Sequence, residues 1–140
     1  MAFKAAMLAI GLALGSLLAP MSMAQAPQAG GLDSVESGEW ELLERGSNQA
    51  ARRICISDGS QLLQPKHPYR QCERYLIRQS PRAVAASYDC GEGGRGRTDL
   101  RIETSRLVQI SSQGVSDGLP FAHEMEARRV GACRPGVAGR

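Results

Sequence analysis

Four cysteines, two histidines, one glycine-rich run and a set of clustered arginines are the residues of this 140-residue chain whose types and spacing could carry chemistry. Cys55, Cys72, Cys90 and Cys133 contain no Cys-x-x-Cys pair, so neither a zinc knuckle nor a thioredoxin-type redox centre is expected. Gly91, Gly93 and Gly96 match the G-x-G-x-x-G spacing of dinucleotide-binding loops. That loop must open a helix, because the pyrophosphate sits on the helix N-terminus. Here the run leads instead into an alternating strand from Arg97 to Thr104, so no dinucleotide and no other cofactor is expected. The plain reading is a flexible hairpin loop. The sharper reading is an anion-binding loop, in which the amides of Gly93, Gly94 and Gly96 cradle a phosphate or carboxylate between Arg95 and Arg97.

His67 lies between Lys66 and Pro68, and His123 sits on a strand. Without nearby paired carboxylates they are expected to be ordinary histidines and no metal ligands. No Gly-x-Ser-x-Gly elbow announces a nucleophile. The chain is therefore expected not to be an enzyme, and a small hydrolase built on His67 or His123 is the alternative. Arg52, Arg53, Arg70 and Arg74 could form a patch for anionic envelope polymers or lipids. Arg101 beside Glu103 and Arg128 beside Glu126 look like a solvated sheet face instead.

The elements that would position these groups begin after an address. Lys4, the apolar run from Ala5 to Ala19 and Ser22-Met23-Ala24 read as a signal peptide over residues 1–24. The run is shorter than the roughly 20 apolar residues of a membrane-spanning helix, and Gly11, Gly15 and Pro20 break it. No integral membrane segment is expected after cleavage. Export places the four cysteines in an oxidising compartment, where an even number implies two disulfides. With 17 basic against 14 acidic residues the whole chain carries +3. Loss of Lys4 leaves the exported part nearly neutral, which makes a nucleic-acid partner unexpected.

Residues 25–31 read as a flexible entry segment, 32–133 as one domain and 134–140 as a disordered tail. Within the domain, apolar residues recur at every second position. Trp40 and Leu42 alternate with Glu39, Glu41 and Leu43, and Arg52, Ile54 and Ile56 share a face. Ser60 to Arg70, with Pro65 and Pro68, reads as one short helical turn and a loop. Two strands around Ser80-Pro81 set Ile77 opposite Val84, Tyr75 opposite Ala86 and Glu73 opposite Tyr88. Thr98, Leu100, Ile102 and Thr104 line a half-buried strand, Val108 and Ile110 another, and Phe121, His123, Met125 and Ala127 the last.

This pattern gives a mainly β fold: an antiparallel meander of about seven strands curled into a small barrel or sandwich, with one short helical turn and two disulfides. In the hairpin register above, Cys72 and Cys90 point to opposite faces. Four cysteines allow three pairings, and the favoured one is Cys55 with Cys72 and Cys90 with Cys133.

Gly38-x-Trp40, Ile54-Cys55-Ile56-Ser57, Cys72, Tyr88-x-Cys90 before a glycine-rich turn and the closing Gly131-Ala132-Cys133 resemble the exported bacterial proteins grouped as domain of unknown function 3617. The resemblance runs from about Gly38 to Cys133 and implies a periplasmic, disulfide-stapled β-domain; it brings no activity or catalytic residues. The expected role is non-enzymatic binding or interaction in the cell envelope, with full secretion as the alternative location. The partner would be an envelope protein, or a small apolar ligand held against Trp40, Leu42, Ile102 and Phe121.

Overall fold

The structure is a computed structural model, and it describes residues 30–135. The expected leader, residues 25–29 of the entry segment and residues 136–140 of the tail lie outside the described residues. Period-two alternation produces seven strands: β1 (Gly38–Glu44), β2 (Arg52–Ile56), β3 (Glu73–Gln79), β4 (Ala83–Asp89), β5 (Gly94–Thr104), β6 (Leu107–Ser116) and β7 (Leu119–Gly131). Helical structure among the described residues is confined to short 3-10 turns at Gly31–Ser34, Gly59–Leu63 and Gly91–Gly93. Asp58 caps the second: its carboxylate accepts from the Ser60 amide at 2.8 Å, and Gln61 Oε1 accepts from the Ser57 amide at 2.6 Å. The turn between β6 and β7 is Asp117-Gly118, both with positive φ, of 51° and 78°. Such two-residue turns match the right-handed twist of hairpin strands, and Asp-Gly is their usual sequence.

All seven strands form one sheet in the order β2-β1-β7-β6-β5-β4-β3, antiparallel at every junction. A two-sheet sandwich therefore does not apply. The order is that of an up-and-down barrel opened between β2 and β3. Seven is odd, so a ring that alternates direction everywhere else leaves those two edge strands parallel. A parallel pair cannot be joined by a tight turn and needs a crossover of a dozen or more residues. Residues 57–72 are that crossover, and they run back along the open seam as a plug.

The inner face is layered. Leu42, Ala127, Val108 and Ile102 make one row across the sheet, and Met125, Ile110, Leu100 and Val84 the next. Trp40, Ile54 and Ile56 fill the end below them, and Leu62 and Leu63 of the plug complete a core in which these side chains are buried. Leu62 and Leu63 come from the short helical turn expected at Ser60, so a non-strand segment closes the core.

The cysteines pair differently from expectation: Cys55 with Cys133 and Cys72 with Cys90. The cause is register. Glu73 lies opposite Asp89, Arg74 opposite Tyr88, and a bulge at Ile77 absorbs the residue that carries the ladder to Gln79 opposite Val84. This differs by one residue from the expected register, and a one-residue slip turns every side chain to the other face. Cys72 and Cys90 thereby come directly across from each other, with Cα atoms 4.3 Å apart. Cys55 is left for Cys133, and that bond reaches from β2 over β1 to the chain beyond β7. Three smaller expectations also change. Gly31, expected in the flexible entry segment, is buried in the first 3-10 turn. Arg134, expected in the tail, is held by Glu39 through Nε at 2.9 Å and Nη2 at 2.8 Å. Gly94 to Gly96, expected in a loop, form the first residues of β5.

Candidate functional site

The inner rows change character toward the end of the sheet that carries the Asp117-Gly118 turn. The rows end on polar residues: Arg52 on β2 ends the row of Leu42, Glu44 on β1 ends the row of Met125, and beyond Met125 and Ile110 come His123 on β7, Ser112 on β6 and Thr98 on β5. Each continues an apolar alternation by one polar step, so period two itself points these groups inward. Ser112 and Thr98 are buried and satisfy each other, with 2.8 Å between their hydroxyl oxygens. Glu44 Oε1 lies 2.6 Å from His123 Nδ1. The His123 ring stacks on Phe121 at 5.4 Å between centroids. The Arg52 guanidinium donates to the Pro65 carbonyl of the plug, and burial pushes its pKa below the usual arginine range.

Glu44, Arg52 and His123 line a cleft of about 190 Å³ together with Leu42, Met125, Pro65 and Lys66. An apolar lining beside Arg52, Lys66 and the Glu44–His123 pair suits a small amphipathic ligand with an anionic group. His123 on its strand face was legible in the sequence. Glu44 and Lys66 were not singled out. Their signal was present: Glu44 extends the Trp40, Leu42 alternation, but its place beside Arg52 and His123 requires the order of the ring.

His67, expected as an ordinary histidine, is a buried residue of the plug at this same end. Its Nε2 is 2.8 Å from the Gly93 carbonyl and 3.2 Å from Ser116 Oγ. A carbonyl only accepts, so Nε2 carries the proton and the ring cannot act there as a base toward Ser116. Ser116 Oγ donates in turn to Asp117 Oδ2 at 3.1 Å. His67 Nδ1 and the Tyr88 hydroxyl are buried without a hydrogen-bond partner, and burial raises the pKa of Tyr88.

The glycine-rich stretch does not form the expected cradle. Gly93 ends a 3-10 turn, and Gly94 to Arg97 lie between β4 and β6, where Arg95 faces Asp89 and Val115 and Gly96 faces Tyr88 and Gly114. Their amides belong to the two ladders. Gly96 is needed because a Cβ there would sit 2.7 Å from the Tyr88 hydroxyl and 2.8 Å from the Gln113 carbonyl. Arg97 is paired with Asp99 at 3.0 Å. The arginine patch is likewise divided: Arg52 points inward, Arg53 pairs outside with Glu39 and Glu41, and Arg70 and Arg74 line a second cleft along the seam. Of the expected ligand face, Trp40 and Ile102 are consumed in the core, Leu42 belongs to the core and also lines the cleft, and Phe121 stacks on His123. Arg101–Glu103 and Arg128–Glu126 are solvated ion pairs, as expected. Among the described residues no three His, Cys, Asp or Glu side chains are placed to hold a metal ion, and no helix is long and apolar enough to cross a membrane.

No protein-family model matches the chain, and neither a curated protein nor a solved structure matches it.

Proposed function

We propose that this chain is a non-enzymatic domain exported to the bacterial periplasm, of the kind grouped as domain of unknown function 3617, which binds a small amphipathic ligand at the polar end of its curled sheet. The observation that carries the reading is the cleft where the apolar inner rows end in Glu44, Arg52 and His123. Arg52 and Lys66 take the ligand's carboxylate or phosphate, and Leu42 and Met125 take its apolar part. Two disulfides support an oxidising location. The test is non-denaturing mass spectrometry of the mature protein from the envelope fraction, beside its denatured, unreduced mass. An added mass that disappears on denaturation, and is absent from Arg52→Ala, supports the reading. A bare chain in both proteins removes the ligand.

The Glu44–His123 pair at 2.6 Å favours a second reading, a small hydrolase with His123 as general base. The hydroxyl directly across the ladder from His123 is that of Ser112, which is buried against Thr98. On this reading His123→Ala abolishes ester hydrolysis by the wild-type protein. The binding reading predicts no hydrolysis by either.

A further inference from the structure

Among the described residues the sheet ends on two edge strands, β2 and β3, and only β2 is protected. β2 is short, buries Ile54 and Ile56, and is tied down through Cys55. β3 is exposed along its whole length, with Tyr75, Leu76 and Ile77 exposed by 58%, 54% and 54%. Unprotected edges of this kind pair with other strands.

We propose that the free edge of β3 accepts an extended, carboxylate-bearing strand of another polypeptide, running antiparallel to β3. The 4.3 Å between the Cα atoms of Cys72 and Cys90 is the close spacing of a pair that exchanges no ladder hydrogen bonds. Two and four residues on, the Arg74–Tyr88 and Leu76–Ala86 pairs share that phase. The backbone N–H and C=O groups of Arg74 and Leu76 therefore face the free side. Beside them a cleft of about 660 Å³ runs between β3 and the plug, lined by Arg70, Arg74, Gln61 and Asp58. Asp58 is already engaged by the Ser60 amide and the Ser57 hydroxyl. Arg74 donates to Gln64 Oε1 at 3.2 Å. Among the described residues neither Arg70 nor Arg74 has a carboxylate within ion-pairing distance, so the cleft presents two cations to an incoming chain. A strand antiparallel to β3 is also antiparallel to β2, so it continues the alternation that the odd strand count interrupts. In a two-fold register centred on Leu76 a second copy sets Arg74 against Arg78, like charges directly across.

The probe is the blocked peptide acetyl-Thr-Val-Val-Glu-Lys-Thr-amide, which sets Val opposite Leu76 and Tyr75, Glu opposite Arg74 and Lys opposite Glu73. Nuclear magnetic resonance of the mature, disulfide-intact chain follows amide exchange during its titration. Expected are slowed exchange at Arg74 and Leu76 in saturating peptide, about tenfold weaker binding to Arg74→Glu, and recovery when the peptide's Glu is replaced by Lys. Arg70→Glu serves if Arg74→Glu fails to fold. Unchanged exchange at both amides in millimolar peptide overturns the proposal, as does equal binding by every charge combination. A peptide-free dimer with both amides already protected overturns it too, because the edge then belongs to a second copy.

Discussion

Glu39 shows how a single charged side chain is decided by its neighbours. It alternates with Trp40 and so belongs to the outer face, where the sequence pattern expects water; it is nonetheless only 3% exposed. The cover is Arg53, Arg134 and the Cys55–Cys133 bond, because Cys55 lies directly across the ladder from Glu39. The Arg134 hydrogen bonds hold its carboxyl below the usual range. Glu126 is held down likewise, first by Gln109 and then by Arg128. A carboxylate with a lowered folded-state pKa stabilises fully above its ordinary value of 4.5 and loses that contribution as pH falls through the lowered one. Thermal unfolding is therefore expected to be flat in pH near neutrality and to drop in temperature below about pH 4.5. Glu39→Gln is expected to unfold at lower temperature at pH 7 and to decline less steeply in acid. An unchanged acid slope would show that this pair does not set it.

At the scale of elements, the β3–β4 hairpin carries the main difference between expectation and structure. Period two correctly identified both strands and the Ser80-Pro81 turn, yet it is blind to a bulge, which adds one residue to one strand without changing composition. The bulge at Ile77 and the shifted register decide the disulfides. Non-reducing peptide mapping is expected to return Cys72 linked to Cys90 and Cys55 linked to Cys133, and a Cys55–Cys72 peptide would break this register. Replacing Cys72 and Cys90 together by Ala removes a link of sequence separation 18, expected to lower unfolding free energy by roughly 3 kcal/mol in the chain-entropy account. The same account gives roughly 4.5 kcal/mol for the separation of 78 at Cys55–Cys133. Urea titration of the two double variants should rank them in that order.

For the whole molecule, strand parity organises the rest. Seven strands around one core leave a parallel seam, the seam requires the crossover, and the crossover supplies Leu62 and Leu63 to the core and Pro65, Lys66 and His67 to the polar end. The plug is thus part of the core and not a surface loop. Leu62→Ala is expected to cost about 2–5 kcal/mol by urea unfolding, as for other fully buried leucines. Leu119→Ala, at a position 71% exposed, should stay within about 0.5 kcal/mol of wild type. Equal effects would place the plug outside the folded core.

Alternation of apolar residues, Asp-Gly and Ser-Pro turns and an even cysteine count determined by themselves a mainly β domain of seven strands with two disulfides. These signals are local, each readable within about ten residues. The partner of each cysteine, the burial of Glu39, the incorporation of the glycine run into β5 and the meeting of Glu44, Arg52, Lys66 and His123 were decided only by the tertiary structure. Each depends on which strands become neighbours and in what register, and a repeat of two residues is the same for every neighbour.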